Sequence, residues 1–288
     1  ADGGELFDQV IDRGTNAMPE DVARNFFTQM LAGVLHCHER GVAHRDLKLE
    51  NVLLTRAGVV KIIDFGLSHV YPRGADGAVD HSKPLADMCG SKSYAAPEVL
   101  GGKGYDGFAA DVWSLGVSLF AMLSGFFPLD EATSKDWRFG KLCVAQQRNL
   151  SATATVYSWY KRTCTHLTAA VVELLDAMLA IDPQRRIGMQ QIFEHPWTRG
   201  PEAIAAAVGA GEKLATREGV LDEAMETDGP KYRAAVFDGP GVEELLALDD
   251  GDTDGQPVYR SLGGTDFGDE VAPPIPMLGR QKAFSRWW

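Results

Sequence analysis

The sequence is short of cysteine and of basic residues, and each shortage excludes a class of protein. Its four cysteines lie far apart, without a C-x-x-C pair, so neither a zinc site nor a disulfide framework is predicted. This cysteine usage is typical of a reducing compartment, and we expect the cytoplasm, with the nucleus as the alternative. Lys and Arg number 28 against 40 Asp and Glu, a net charge of −12. Nucleic-acid binding and attachment to anionic membranes need clustered bases, so we expect neither.

Leader and membrane-spanning patterns are also missing. The chain begins Ala-Asp-Gly-Gly-Glu, with neither a basic start nor an apolar run, which argues against a signal peptide. It lacks an initiator Met, so we expect a fragment or a processed chain. One uncharged stretch, residues 112–129, reaches the length of a membrane span, but it contains Gly, Ser and Pro and has no basic flank. We therefore expect a helix buried in a protein core and no membrane insertion.

The composition that remains is that of a globular protein, with 45% hydrophobic and 24% charged residues. Charge is unevenly distributed: residues 1–200 hold 23 acids and 20 bases, whereas residues 201–288 hold 17 acids and 8 bases. The second part is rich in Ala, Gly, Asp and Pro and shows only short apolar clusters, such as residues 242–248. We predict one domain over residues 1–200 and an acidic, partly disordered tail over residues 201–288.

Hydrophobic periodicity predicts a fold that is mainly α with short β-hairpins. Apolar residues at helical spacing from Val22 to Leu35, behind Pro19 and two acids, predict a helix that Gly41 ends. Residues 51–54 and 59–63 are rich in β-branched and apolar residues and are separated by a short turn, which predicts a hairpin. Residues 111–124 and 169–181 carry further helical patterns.

Four motifs stand around this hairpin in a characteristic order. They are H-R-D-L-K-L-E-N at residues 44–51, D-F-G at 64–66, A-P-E at 96–98 and D-V-W-S-L-G at 111–116. Their order and spacing resemble the protein kinase family over residues 1 to about 198. The resemblance implies a protein-kinase-like C-terminal lobe. Lys48 and residues 90–98 resemble serine/threonine kinases, and Cys89-Gly90-Ser91 is similar to the calcium/calmodulin-dependent-kinase-like group.

The resemblance implies the catalytic, metal-binding and nucleotide-binding residues. Phosphoryl transfer depends on positioning and charge compensation, so Asp46 is expected to act as catalytic base and Lys48 to contact the γ-phosphate. Asn51 and Asp64 are expected to bind Mg²⁺, which prefers oxygen ligands. ATP is expected to contact Lys48 and Asp64 and two further residues, Leu53 beneath adenine and Glu5 at the ribose.

The same resemblance implies eight structural or regulatory residues. They are His44, Arg45, Phe65, Gly66, Asp87, Glu98, Asp111 and Arg186. We expect His44 and Phe65 to pack in an apolar column, Asp111 to hold the catalytic-loop backbone, and Arg186 to pair with Glu98. Asp87 stands where related kinases often carry an activating phosphothreonine, so we expect it to face Arg45 and to replace the phosphate in part. The alternative is an exposed loop acid, with Ser82 or Ser93 as the regulatory site.

Three residues are expected to bind the substrate. Glu5 and Glu50 resemble the acids that basophilic kinases direct at an Arg preceding the phosphorylated site, because a guanidinium binds carboxylates in a bidentate manner. Ser91 is the third residue expected to bind the substrate. We predict protein substrates with Arg three residues before Ser, against the alternative that both acids are solvated surface residues. No partner is predicted for the tail.

Two departures from the family pattern bear on activity. A glycine-rich phosphate loop followed by V-A-x-K is missing from the sequence, and the G-x-G-x-x-G at residues 102–107 follows the A-P-E motif rather than a strand. We expect the small lobe to lie before residue 1 and this chain alone to be inactive. The alternative function is a non-catalytic kinase-like binding module or scaffold, against which the intact motif residues argue. Residues 137–168 form a long connection without an assigned role.

Overall fold

The computed structural model describes residues 2–11 and 17–200. The tail predicted for residues 201–288 lies outside the described residues. Nine helices are present in the described part: α1 (Leu6–Ile11), α2 (Glu20–Glu39), α3 (Pro97–Leu100), α4 (Gly107–Ser124), α5 (Trp137–Gln147), α6 (Ala152–Trp159), α7 (Ala169–Met178), α8 (Met189–Glu194) and α9 (Pro196–Arg199). The strands are β1 (Val42–Ala43), β2 (Val52–Leu54), β3 (Val60–Ile62) and β4 (His69–Val70). This mainly helical content agrees with the predicted class.

The strands form two antiparallel pairs that bracket the motif loop. In the predicted hairpin, β2 pairs with β3 in the register Val52↔Ile62 and Leu54↔Val60. In the second pair, β1 lies beside β4 with Val42 opposite Val70. The segment between β1 and β2 is thereby held close to the segment between β3 and β4, and these two segments carry the H-R-D and D-F-G motifs.

Helix α4 forms the centre of the core. Its residues are predominantly apolar on every face, and 89% of them are buried, as is typical of a central core helix. By length and composition alone, the helix could also cross a membrane. It begins at Gly107 rather than at the predicted Asp111, because the Asp106 side chain caps it by accepting a hydrogen bond from Phe108 N at 2.9 Å. It ends at Ser124, and the C-cap residue Gly125 follows with a φ of +77°.

Helix α2 packs its apolar face against this centre. Phe27, Met30 and Leu31 are fully buried on that face, which contacts α4, β3 and α8. The helix ends at Glu39, and Gly41 follows with a φ of +83°, so the predicted helix and its end are confirmed.

The long connection after α4 contains two helices that the sequence pattern did not predict. Asp136 caps α5 by accepting a hydrogen bond from Arg138 N, and Ser151 caps α6 by accepting one from Ala154 N. The next helix, α7, ends at Met178 rather than at the predicted Ile181. The chain turns away there because the carbonyl oxygens of Ala180 and Ile181 accept hydrogen bonds from Arg186.

Candidate active site

A buried carboxylate of α4 holds the backbone of the H-R-D motif. Asp111 is fully buried, and its two oxygens accept hydrogen bonds from His44 N and Arg45 N, each at 2.8 Å. His38 Nε2 of α2 lies 2.8 Å from Asp111 Oδ2. A buried charge with three polar partners is well compensated, and it keeps Arg45 in a left-handed conformation with a φ of +65°. The expected contact is therefore present, and His38 is a partner that the motif pattern did not indicate.

Three predicted residues, Lys48, Ser91 and Asn51, converge on Asp46. Asp46 Oδ2 accepts a hydrogen bond from Lys48 Nζ at 2.8 Å, and Asp46 Oδ1 accepts one from Ser91 N at 2.9 Å. Lys48 Nζ also donates to Ser91 Oγ at 2.9 Å. Asn51 Nδ2 donates to the backbone oxygen of Asp46 at 2.9 Å. The arrangement places an oriented carboxylate beside a cation and a hydroxyl.

The D-F-G segment lies against this loop. Asp64 has a left-handed φ of +63° and its Oδ1 accepts a hydrogen bond from Gly66 N at 3.3 Å. His44 joins the two motifs, since its Nε2 contacts the Ile63 carbonyl oxygen at 3.0 Å and its ring lies 4.8 Å from that of Phe65. The expected ring contact is present, but Phe65 is 42% exposed because the described residues cover only part of its ring. Its expected burial in an apolar column is not found.

Glu50 is partly buried rather than solvated. Tyr94 Oη donates a hydrogen bond to Glu50 Oε2 at 3.0 Å, and burial raises the pKa of the Glu50 carboxyl above its ordinary value. Burial also holds the pKa of Tyr94 well above its ordinary value. Tyr94 was not among the predicted residues, because nothing in the sequence indicates which acid its hydroxyl contacts.

Two further predicted residues, Glu5 and Leu53, lie on neighbouring backbone segments. Glu5 bridges to Leu53 across an antiparallel contact, and Leu54 N donates to the Gly4 carbonyl oxygen at 2.9 Å. Helix α1, which begins directly after Glu5, packs against the turn that contains Glu50. The structure therefore brings Glu5, Leu53 and Glu50 into one neighbourhood.

Two expected ion pairs lie beside the site, one largely buried and one with an exposed partner. Arg186 donates to both carboxylate oxygens of Glu98, at 2.6 and 2.9 Å, and to the Ala109 carbonyl oxygen at 2.8 Å, so the expected pair is confirmed. Arg45 Nη1 lies 3.7 Å from Asp87 Oδ2, but Asp87 is 84% exposed. An ion pair this exposed contributes little to stability.

The donor set fits a magnesium–nucleotide complex better than a free metal ion. Among the described residues, no group of three or more His, Cys, Asp or Glu could hold a metal. Asp64 and Asn51 offer one carboxylate and one amide oxygen, and Mg²⁺ is commonly bound by one or two carboxylates together with substrate phosphates. The chemistry of the site therefore suits a cation that arrives with phosphate oxygens.

The sequence of this chain matches a known protein family. The family described as the protein kinase domain matches residues 1–198. The chain therefore belongs to the protein kinase family.

The relatives of this chain include protein kinases from plants and one kinase from an amphibian. The chain is 39% identical over 197 residues to CBL-interacting protein kinase 9 of Oryza sativa subsp. japonica, covering 68% of this chain and 38% of the relative. It is 41% identical over 200 residues to CBL-interacting serine/threonine-protein kinase 16 of Arabidopsis thaliana, covering 68% and 39%. Maternal embryonic leucine zipper kinase of Xenopus tropicalis is 37% identical over 195 residues, covering 68% and 26%. The chain thus spans about two-fifths or less of the length of these relatives.

Proposed function

We propose that the whole protein is a serine/threonine kinase that transfers the γ-phosphate of ATP to protein hydroxyls. The observation that carries this proposal is the Asp46 carboxylate, which Lys48, Ser91 and Asn51 hold in one orientation. Asp46 accepts the proton of the substrate hydroxyl, and Lys48 offsets negative charge on the transferred group. A non-catalytic scaffold, the alternative, has no physical need for this arrangement.

ATP and Mg²⁺ are the cofactors of this proposal. Asp64 and Asn51 bind the cation, Leu53 lies beneath adenine and Glu5 contacts the ribose. Mg²⁺, when bound, neutralises charge on the phosphates. The kinase site works in the reducing compartment, cytoplasmic or nuclear, that the cysteine pattern favours.

We further propose that residues 1–200 are the large lobe alone and that residues outside this sequence supply the small lobe. The sequence contains no glycine-rich loop followed by V-A-x-K. The limited coverage of the relatives, 38% and 39% for two of the plant kinases, supports this division. The acidic tail after residue 200 forms a separate part.

The test is transfer of radiolabelled phosphate by the protein expressed with its native upstream coding sequence. Asp46→Asn should lower kcat by at least about 100-fold, because the carboxylate that accepts the proton is lost. Glu39→Gln, a change at an exposed acid at the end of α2, is the matched control and should retain activity. Absence of transfer by the parent protein, with correct folding, would favour the scaffold.

The substrate preference is a finer proposal at the same site. Glu50 and Glu5 bind an Arg three residues before the acceptor Ser, and partly desolvated carboxylates favour Arg by ~1–3 kcal/mol. Tyr94 keeps the Glu50 side chain in one position for this contact. A positional peptide library on the same protein should select Arg there, and Glu50→Gln should weaken that selection, with Glu39→Gln as control. Unchanged selection in Glu50→Gln would remove the proposal.

Asp87 is proposed to replace an activating phosphate in part. It lies within ion-pair distance of Arg45, whose Nε also donates to the Leu67 carbonyl oxygen at 2.7 Å, just beyond the D-F-G motif. A carboxylate there links the segment between the D-F-G and A-P-E motifs to the H-R-D motif. It carries less charge than a phosphate does. Asp87→Ala should reduce kcat in the protein with its upstream sequence, and equal activity would contradict this role.

A further inference from the structure

One face of helix α5 is exposed although it carries large apolar side chains. Trp137, Lys141, Val144 and Arg148 recur at helical spacing, from the first residue of α5 to its C-cap, and all four are exposed. Trp137 is 45% and Val144 37% exposed. The opposite face, which includes Phe139 and Leu142, is buried in the core. We call the four exposed residues the α5 stripe.

Neighbouring side chains contact the Trp137 ring of the stripe. Lys141 Nζ lies 4.6 Å from the centre of the Trp137 ring. The centre of the Trp159 ring of α6 lies 5.5 Å from the centre of the Trp137 ring. Leu150, 37% exposed, follows the end of the stripe. Trp is among the residue types most enriched at interface hot spots. A Trp that its neighbours already hold in place loses little side-chain entropy on binding.

The charge of the stripe defines the chemistry of its partner. Neither Lys141 nor Arg148 forms an ion pair within the part of the chain that the structure describes. The nearby acid Asp136 is engaged by Arg138 at 2.8 Å on the buried side of the helix. The stripe therefore alternates apolar groups with unpaired cations, and it is complementary to a segment that combines apolar and acidic side chains.

One segment of this chain has that composition most strongly. Residues 242–254 read Val-Glu-Glu-Leu-Leu-Ala-Leu-Asp-Asp-Gly-Asp-Thr-Asp, with five apolar residues, six acids and no base. Val242, Leu245 and Leu246 stand at positions i, i+3 and i+4, the spacing of one helical face. Elsewhere in the tail, residues 201–215 are apolar with few acids, and residues 273–288 are apolar with bases. Residues 218–228 and 265–272 also mix apolar residues with acids, but residues 242–254 hold the most of each.

We propose that residues 242–254 of the tail dock on the α5 stripe of the same molecule. The apolar residues of the segment cover Trp137 and Val144, and its acids pair with Lys141 and Arg148. The inference is independent of phosphotransfer, since none of these residues belongs to the candidate active site.

The length of the tail permits this contact. The described domain ends at Gly200, and residues 201–241 connect it to the segment. A flexible linker of this length has an r.m.s. span of about 35 Å, which is comparable with the diameter of a 200-residue domain. Tethering also raises the effective concentration of the segment to the order of millimolar, so a weak contact is sufficient.

The test is zero-length carbodiimide cross-linking of the full 288-residue chain, with mass-spectrometric mapping. This reagent joins a lysine amine to a carboxylate only when the two are in contact. We expect Lys141 to cross-link to acids within residues 243–254, and Lys103, an exposed lysine before α4, to serve as the reference for random encounters. Mixing isotope-labelled with unlabelled chain separates cross-links within one molecule from those between molecules.

Variants on both sides of the contact make the result decisive. Trp137→Ala should lower the Lys141 cross-link at least about fivefold, whereas Phe193→Ala, a change at a 46% exposed aromatic on α8, should leave it unchanged. Leu245→Asp with Leu246→Asp should abolish it without altering the domain. Raising NaCl to 0.5 M should weaken it. A Lys141 cross-link no stronger than that of Lys103, cross-links to acids elsewhere, or cross-links only between molecules would each overturn the proposal.

Discussion

At the scale of single residues, buried polar groups join distant parts of the chain. Arg186 and Glu98 are 88 positions apart, and the Arg186 side chain is only 1% exposed. Each of its nitrogens donates to a carboxylate or a carbonyl oxygen, and its guanidinium lies 5.2 Å from the Trp113 ring centre. The pair therefore fastens the loop before α8 to α3 and α4.

Removal of this arginine should be severely destabilising. Arg186→Met leaves the Glu98 carboxylate uncompensated at 12% exposure, and loss of one partner of a buried pair typically costs about 3–5 kcal/mol. Urea unfolding followed by tryptophan fluorescence measures the change. The exposed neighbour Arg185 supplies the control, because Arg185→Met should change stability by less than about 0.5 kcal/mol. A cost below about 1 kcal/mol for Arg186→Met would contradict the assigned role.

Asp176 should make stability depend on pH. Its carboxylate on α7 accepts a hydrogen bond from Thr153 N of α6 at 2.7 Å, and burial raises its pKa from 3.8 to about 6. Because the folded state retains a proton that the unfolded state has lost, this group's stabilising contribution is complete below pH 3.8 and is lost as pH rises through 6. Stability should therefore fall across this window.

Asp176→Asn removes that titration and keeps one oxygen acceptor for Thr153 N. Between pH 4 and pH 7 the variant should gain on the order of 1–2 kcal/mol relative to the parent, less than a full two-unit shift because the side chain is only partly buried. Unfolding by urea at a series of pH values checks this. Parallel pH profiles for the two proteins would exclude Asp176 as the source.

At the scale of elements, two glycines within helices differ in what an added side chain would meet. Gly107, the first residue of α4, has no room for a side chain, since a Cβ there would lie 2.7 Å from Ala43 Cβ. Gly140, within α5, would place a Cβ in open space. The first glycine is needed where β1 and the Tyr71 hydroxyl approach the helix, and the second only weakens its helix.

The two alanine substitutions should act in opposite directions. Gly107→Ala should destabilise by about 1–3 kcal/mol, because β1 and α4 must separate. Gly140→Ala should stabilise by about 0.5–1 kcal/mol through helix propensity. Thermal unfolding of both variants beside the parent measures the difference. The packing argument fails if both substitutions change the midpoint in the same direction.

At the scale of the whole molecule, the candidate site has only one described wall. Ile63, Phe65 and Leu67, at and around the D-F-G motif, are all more than a third exposed. A nucleotide beside them would meet Lys48, Asn51 and Asp64 but no glycine-rich loop from this sequence. We therefore predict that this chain alone does not provide the positioning on which phosphoryl transfer depends.

The 288-residue chain by itself should show no measurable phosphotransfer. The assay is incorporation of radiolabelled phosphate into a peptide with Arg three residues before Ser, with Asp64→Ala as the background control. The exposed apolar residues at this wall should also promote self-association, which gel filtration detects. Transfer above the Asp64→Ala background would show that the described wall is sufficient.

The sequence by itself determined the helical class, the hairpin, the long helix before it and the motif residues. These are local properties: periodicity, turn residues and motif spacing lie within a few positions of one another. The pairing of Arg186 with Glu98 also followed from sequence, but only through the resemblance to kinases.

Only the tertiary structure decided which distant polar groups meet. Tyr94 binds Glu50 across 44 positions and His38 meets Asp111 across 73, and no periodic pattern encodes such contacts. The same holds for α6 and for the exposed stripe of α5. Their sequences contain aromatic and charged residues that periodicity alone cannot orient, because the faces that are buried depend on the neighbouring helices against which each helix packs.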